Sequence, residues 1–244
     1  MQEKATANFR LKKNKPNLRE YIAATALLHY YEKDMFGAEQ KQIRSACKTE
    51  LSGENHMRIV ARSIKEQHNN RLIEAVLQDL NEQERQFLYE KYKKNTPELN
   101  IGLKLNTVPT TLQYWRRSIF TEMAELLFFK LPRKDAFSIR KVSTLADVLR
   151  EYIDFLSQHD LDIDPDTLHE LRERQIVYEK AGRALQVLAT AEPKNIMETI
   201  VKARLADRFA SIETLAKRTG VSVGMAWKQL EKFISQHYNR PLWQ

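Results

Sequence analysis

The chain has 244 residues, of which 42% are hydrophobic and 30% are charged, so it can bury one large core or two smaller ones. Only 6 Gly and 7 Pro residues are present, too few for a loop-rich β-sandwich or a glycine-laced nucleotide-binding sheet, and a single Cys excludes a disulfide framework. The net charge of +8 falls mainly in two basic blocks, +7 over residues 91–150 and +5 over residues 181–244, separated by an acidic stretch. Two such blocks are typical of a chain with two surfaces that face nucleic acid.

Targeting signals and membrane spans are not expected. The apolar stretches are far shorter than the ~20 residues that cross a bilayer. Residues Met1–Lys4 are polar and lack the apolar region of a signal peptide. The lone Cys47 fits a reducing compartment, so we expect a cytoplasmic protein that does not contact the membrane.

Capping residues and apolar periodicity predict helices along almost the whole chain. A capping box at Asn17–Glu20 opens a helix to about residue 34, and Gly37 separates it from a second helix that ends near residue 50. Apolar residues between Ile59 and Leu80 mark a long amphipathic helix. A second capping box at Asn81–Glu84 then opens a further helix.

The following segment is predicted as a short helix, a turn and a long helix. Thr96 supplies the N-cap and Pro97 the first helical position of a helix to Leu105, and a turn at Asn106–Pro109 precedes a helix to about residue 130. We expect Leu131–Lys134 to link two helical domains, residues 1–130 and 135–244. The remaining predicted helices are about 144–158, 165–190, 193–208, 212–219 and 223–238. Because no segment shows the alternation of apolar and polar residues that is typical of a strand, the predicted fold class is all-α.

Two segments, residues 96–127 and 211–238, share a pattern that is typical of a helix-turn-helix unit. At a constant offset of 114 residues, Gly102 matches Ala216 and Asn106 matches Gly220. A small residue lets two helices approach closely, and Asn and Gly tolerate the left-handed conformation that a sharp turn needs. In such a unit the second helix enters the major groove of DNA.

The second helix of each pair is expected to begin at a side-chain cap and to carry the residues that read DNA. Ser222 is the predicted cap in the C-terminal unit, and Thr107 or Thr110 in the other. Gln pairs with adenine, Arg with guanine and the Thr methyl with thymine, whereas a basic side chain also clamps phosphate. The candidate DNA-binding residues are Lys104, Thr110, Thr111, Gln113, Tyr114, Arg116, Arg117, Lys217, Arg218, Ser222, Met225, Lys228, Gln229 and Lys232.

One stretch also carries residues at the spacing of a known family. It contains Leu80 followed by Glu84-Arg85, then Ile101-Gly102, then Asn106-Thr107-Val108, and finally Arg116-Arg117. This stretch resembles region 4 of the sigma-70 family, which reads L-x-x-x-E-R, then I-A-x-x-L-G, then S-x-x-T-V and a late arginine. With a helical segment before it, it is also similar to the ArpU and RinA type phage regulators, which activate late or packaging genes.

The resemblance covers about residues 80–130, with two departures. Gly102 stands where the family has Ala, and Asn106 stands where it has Gly. Residues 135–244 lie outside the family pattern. The resemblance implies a DNA-binding regulator that contacts RNA polymerase.

Taken together, these patterns predict a sequence-specific double-stranded DNA-binding transcriptional regulator with tandem helix-turn-helix units. Two alternatives stay open: a plasmid or phage replication or partition protein that binds DNA, and a helical adaptor that binds other proteins. We also expect a homodimer. The apolar residues Leu126–Phe129 and Leu131 are more than one amphipathic face of a helix requires, and helix-turn-helix proteins often pair to match two half-sites.

No catalytic, metal or cofactor site is expected, and the chain is predicted not to be an enzyme. The 6 His residues form no HxxxH or HExxH spacing, and no Walker, GxSxG or GxGxxG motif occurs. Acidic residues in Asp162–Glu173 fall at the spacing of a calcium-binding loop, but Thr167 stands where that loop needs Gly. Asp164-Pro165 instead predicts the start of a helix.

Overall fold

The computed structural model describes residues 18–36, 53–131, 136–158 and 164–238. Within these ranges the chain forms ten α-helices and one π-helical turn (Tyr89–Lys93) and no strand, so the all-α prediction is confirmed. The helices are α1 (Leu18–Phe36), α2 (Gly53–Asp79), α3 (Glu82–Leu88), α4 (Glu98–Leu105), α5 (Pro109–Leu127), α6 (Ile139–Gln158), α7 (Pro165–Thr190), α8 (Ile196–Ala206), α9 (Ile212–Thr219) and α10 (Val223–His237).

Most helix boundaries lie where the capping residues predict them. Helices α7 and α9 begin and end at the predicted residues, and α10 ends one residue early. Asp164 caps α7 by accepting hydrogen bonds from the backbone N–H groups of Asp166 and Thr167, and Pro165 takes the first helical position. Helix α6 begins at Ile139, earlier than the predicted 144. The predicted helix over 37–50 and the linker residues after Leu131 lie outside the described residues.

Two predicted caps are wrong, because the threonine hydroxyls donate hydrogen bonds to other groups. Pro97 is the N-cap of α4, and the hydroxyl of Thr96 instead donates a hydrogen bond to the Glu90 carboxylate at 2.9 Å. Val108, in an extended conformation, is the N-cap of α5 and makes no side-chain cap. The hydroxyl of Thr107 donates to the carbonyl of Leu105 at 3.0 Å, in the last turn of α4. Hydrogen bonds to the Glu90 carboxylate and to the Leu105 carbonyl therefore replace the expected caps.

The N-terminal half packs its helices around α5. Helices α1, α2, α3 and α4 all contact α5, and α1 also contacts α2 and the π-helical turn. The residues at the centre of this core are fully or almost fully buried: Leu27, Phe87, Leu88, Leu112 and Ile119. Burial of such side chains contributes ~1.5–3 kcal/mol each, which makes this packing the main stabilising contribution to the half.

The C-terminal half is built on the pair α6 and α7, which pack along one another. Helices α8, α9 and α10 contact each other, and α8 and α10 also contact α7. The side chains of Val201, Leu215 and Phe233 are fully buried where these helices meet. Residues 195–238 thus form a three-helix unit that rests on α7.

The two halves share one continuous apolar core that runs from α1 to Tyr238. Helix α2 of the first half contacts α6 of the second. There the Nε2 atom of His68 lies 3.4 Å from a carboxylate oxygen of Glu151, which Arg71 also contacts at 2.5 Å. Burial lowers the pKa of His68 below its usual value. The two-domain organisation stays a prediction.

The apolar run that led us to expect a homodimer is used largely inside the chain. Leu126 and Leu131 are each 1% exposed. Phe129 packs against the Tyr152 ring, with 5.4 Å between ring centroids. Of this run, Phe128 alone is well exposed among the residues the structure describes. The apolar surface on which the homodimer prediction was based is therefore mostly used inside the chain.

Candidate nucleic-acid interface

Helices α4 and α5 are joined by a tight left-handed turn. Asn106 follows α4 with φ 49° and ψ 47°, the left-handed region that Asn tolerates. The backbone N–H of Thr107 then donates to the carbonyl of Gly102 at 2.9 Å. A Cβ atom on Gly102 would lie 2.8 Å from the carbonyl oxygen of Thr107. The sequence therefore needs Gly at this position because the turn passes directly over it.

Helices α9 and α10 are joined in the same way. Gly220 follows α9 with φ 69° and ψ 26°, and the N–H of Val221 donates to the carbonyl of Ala216 at 3.0 Å. The hydroxyl of Ser222 accepts a hydrogen bond from the N–H of Met225, which confirms Ser222 as the cap of α10. Here Ala216 fits where the first turn needs Gly102, so this turn is the more open of the two.

The offset of 114 residues seen in the sequence holds for the backbone as well. It carries both boundaries of α4 onto those of α9, Asn106 onto Gly220, and the start of α5 onto the start of α10. The same offset carries the turn hydrogen bond of Thr107 onto that of Val221. The fully buried Ile101 and Leu112 fall on the equally buried Leu215 and Ala226.

The correspondence extends one helix further back than the sequence pattern suggested. Helix α8 begins 114 residues after α3, and each follows an Asn cap, Asn81 or Asn195. Each cap accepts a hydrogen bond from the N–H of a Glu three residues on, at 2.8 Å for Glu84 and 3.0 Å for Glu198. The spacing Asn-x-x-Glu, repeated at this offset, was the signal that could have identified it. We call residues 81–127 the first unit and residues 195–238 the second unit.

The outward face of α5 carries most of the predicted DNA-binding residues of the first unit. Thr110, Gln113, Tyr114 and Arg117 are all exposed, and Thr111 is half-buried at its edge. Tyr114 is 70% exposed. Their side chains therefore form a continuous polar face that is open to a partner.

Two predicted residues of the first unit are engaged within the unit instead. Arg116 lies on the inner side of α5, where its guanidinium contacts a carboxylate oxygen of Glu98 at 3.2 Å. Its position four residues after the buried Leu112 was the sequence signal for this inward direction. The ammonium group of Lys104 contacts the Glu90 carboxylate at 3.1 Å. These contacts stabilise the unit and leave Arg117 as the basic residue on the outward face of α5.

Glu90 is the centre of a compact charge cluster in the first unit. Its side chain is only 7% exposed, and Lys94 contacts its other oxygen at 3.3 Å. The hydroxyl of Thr96, followed by the ammonium groups of Lys104 and Lys94, lowers the pKa of Glu90 to about 2. The carboxylate is therefore ionised at neutral pH and holds basic residues of the unit in place.

The outward face of α10 differs from that of α5. Met225, Lys228 and Lys232 are exposed, and the amide of Gln229 donates to the sulfur of Met225 at 3.4 Å. At Gly224 an added Cβ would have no atom within 4 Å, so nothing in the described residues requires Gly there. Among the described residues, Lys228 and Lys232 form no ion pair. The outward face of α10 is thus basic at Lys228 and Lys232, and its first turn, with Gly224 and Met225, is flat and partly apolar.

The two predicted backbone-contact residues of α9 are both exposed. Lys217 makes no ion pair within the described ranges. Arg218 contacts a carboxylate oxygen of Asp207 at 2.7 Å, and this hydrogen bond lowers the pKa of Asp207. Lys217 is therefore the more available of the two for an anionic partner.

Sequence reasoning missed an apolar patch on the first unit. Leu99 and Leu103 are 68% and 77% exposed on one side of α4, and Val108 in the turn is 60% exposed. The matching residues of the second unit are Glu213, Lys217 and Ser222, so the backbone itself does not require apolar side chains here. The leucine spacing of four residues on a short helix was the available signal.

The described ranges contain neither a cluster of metal ligands nor a membrane-spanning helix. No group of three or more potential metal ligands comes together there. Every helix within them is too short or too polar to span a membrane. Comparison of the chain with models of protein families, with curated proteins and with solved structures found no match in any of the three.

Proposed function

We propose that this chain is a sequence-specific double-stranded DNA-binding transcriptional regulator that acts in the cytoplasm through two helix-turn-helix units, one in each of two helical domains. The observation that carries the proposal is the repeated arrangement of helix, left-handed turn and helix at the constant offset of 114 residues. In both copies the second helix has an exposed face, as a helix that enters the major groove needs. A net charge of +8 favours association with a polyanion.

The side chains on the two faces suit different parts of duplex DNA. On α5, Gln113 suits the adenine edge and Arg117 the guanine edge, and Thr110 offers a methyl group to thymine. On α9, Lys217 suits phosphate oxygens, which position a protein without reading sequence, whereas Lys228 and Gln229 of α10 suit base edges. We therefore assign sequence discrimination mainly to the first unit, and we assign affinity and a second, less selective base contact to the second unit.

Two other functions are compatible with the same fold. A replication or partition protein would use the same two units at repeated sites near an origin. A protein-binding adaptor is favoured by one observation, the exposed apolar patch of Leu99, Leu103 and Val108. The resemblance to sigma region 4 implies that a contact with RNA polymerase accompanies DNA binding.

A salt titration of binding to random duplex DNA tests the proposal. If the units bind DNA, the logarithm of affinity falls linearly with the logarithm of salt concentration, because bound cations are released from phosphates. Affinity that does not depend on salt, or no binding at low salt, would favour the adaptor. Footprinting beside a promoter or beside repeats near an origin then separates a regulator from a replication protein.

Substitutions on α5 test the assignment of specificity. Gln113→Ala or Arg117→Ala should cost about 1–3 kcal/mol on a selected sequence and relax preference at one base pair. Lys217→Ala should weaken binding to all sequences alike and lower the salt slope by about 1. Arg116→Ala is the matched control, because Arg116 points inward to Glu98. If Arg116→Ala relaxed base preference and Arg117→Ala did not, the assignment of the outward face would be wrong.

A further inference from the structure

A cluster of charges ties the second unit to the first. The guanidinium of Arg208, in the turn between α8 and α9, contacts a carboxylate oxygen of Asp79 at 2.5 Å, at the end of α2. The ammonium of Lys141, fully buried on α6, lies 3.7 Å from Asp79 and 3.6 Å from Glu122 of α5. Because buried charges need their partners, these contacts favour one arrangement of the two units.

Two buried tyrosines hold the chain on each side of the junction between the halves. The hydroxyl of Tyr178, on α7, donates to the carbonyl of Phe129 at 3.1 Å. The hydroxyl of Tyr238, directly after α10, donates to the carbonyl of Ala136. Phe129 has φ 56°, a left-handed conformation that costs a bulky residue about 1–3 kcal/mol and persists only where its surroundings hold it. The surroundings here are Tyr178 and the ring of Tyr152.

The outward faces of the two units differ at the positions that the offset of 114 residues matches. Tyr114 of α5 corresponds to Lys228 of α10, and Thr110 corresponds to Gly224. Arg117 corresponds to Glu231, which reverses the charge. Two readers with different side chains select different base sequences. The chain therefore carries two unlike readers in one arrangement.

We propose that one copy of this chain binds one asymmetric, two-part duplex DNA site whose parts lie at a fixed spacing, with α5 on one part and α10 on the other. This inference rests on the proposed function and names its substrate. A symmetric dimer reads a palindrome because both its readers are identical, whereas these two are not. Leu126 and Leu131, which would have formed a dimer surface, are buried in the chain.

Selection of bound sequences from a random duplex pool by the full chain, followed by native mass measurement of the complex, is the test. We expect the selected sequences to contain two short, different motifs at one fixed spacing. We expect the mass of the complex to correspond to one chain per duplex. Removal of either motif should lower affinity by about 10²-fold or more, because the intramolecular second contact is then lost. Insertion of about 5 base pairs between the motifs should have the same effect, since it turns one part to the opposite side of the duplex, and insertion of about 10 should have less.

Variants separate the contributions of the units. Lys228→Ala with Lys232→Ala should remove the dependence on the second motif and leave the first, whereas Lys180→Ala, an exposed lysine on α7 outside both units, should change neither. Arg208→Gln should broaden the accepted spacings while each motif is still bound. Lys141 and Ser138 still contact Asp79 in that variant, which preserves the fold.

Three results would overturn the inference while the proposed function stands. The first is selection of a palindrome that two chains bind. The second is selection of one uninterrupted motif whose affinity the α10 substitutions do not change. The third is an affinity that does not depend on the spacing between the motifs. If no sequence were enriched and binding did not respond to salt, the proposed function would fail, and this inference with it.

Discussion

The first and second units share a backbone and differ in what stabilises it. In the first unit Arg116 reaches Glu98, which Lys91 also contacts at 3.3 Å, and a second cluster surrounds Glu90. In the second unit the residue that matches Arg116 is Leu230, which is 2% exposed. One unit therefore uses ion pairs where the other uses apolar packing.

This difference changes what each unit has left for a partner. Ion pairs inside the first unit engage Lys104 and Arg116, so its outward face is mainly polar and aromatic. Apolar packing inside the second unit needs no lysine, so Lys228 and Lys232 stay on the surface. A common backbone can thus present different surface chemistry, because Lys104 and Arg116 of the first unit are held in ion pairs whereas Lys228 and Lys232 of the second unit are exposed.

The largest expected effect comes from exchanging the side chains at the matched positions Arg116 and Leu230. Leu230→Arg places a charge at a buried position, where Ile212 stands in place of Glu98, and should cost about 3–5 kcal/mol of unfolding free energy. Arg116→Leu removes a partly exposed ion pair and should cost less than about 1 kcal/mol. Urea denaturation followed by circular dichroism measures both. Equal losses for the two variants would show that the units are stabilised alike.

A second, smaller effect distinguishes the glycines of the two units. Gly102→Ala should destabilise the chain by about 1–3 kcal/mol, because the new Cβ meets backbone and nothing flexible gives way. Gly224→Ala should stabilise it by about 0.5–1 kcal/mol, because a helix favours Ala and the space is open. Melting temperatures of the two variants check this pair. A harmless Gly102→Ala would mean that the first turn is no tighter than the second.

The smallest effect concerns the response of each unit to acid. The pKa of Glu90 is about 2 in the folded chain and near 4.5 when unfolded, so the unfolded chain binds more protons between these values. Its contribution to stability is therefore complete above about pH 4.5 and is lost as pH falls toward 2. Glu90→Gln should make the decline of the urea midpoint over this range shallower.

Asp207→Asn is the matched variant in the second unit. The pKa of Asp207 is also lowered, chiefly by one hydrogen bond from Arg218, and its side chain is 35% exposed. Solvent screens such a pair, so the change in acid response should be weaker than for Glu90→Gln. A larger change for Asp207→Asn would place the main acid-sensitive contact in the second unit.

The fold class, most helix ends and both turns follow from local sequence signals. Caps such as Asp164 and Ser222, and left-handed residues such as Asn106 and Gly220, act on groups within a few residues of themselves. Their effects can therefore be predicted without knowledge of the rest of the chain. The outward positions of Gln113 and Lys228 likewise follow from helical periodicity.

Which of these side chains make contacts within the protein depends on the tertiary structure. Neither Thr96 nor Lys104 is next to Glu90 in sequence, and the folding of α4 against the π-helical turn brings them together. In the sequence, Leu126 on α5 and Leu131 after it exceed what one apolar stripe needs, but both are buried in the core that the two halves share. Burial and ion pairing depend on segments that are distant along the chain, so local propensity and periodicity carry no information about them.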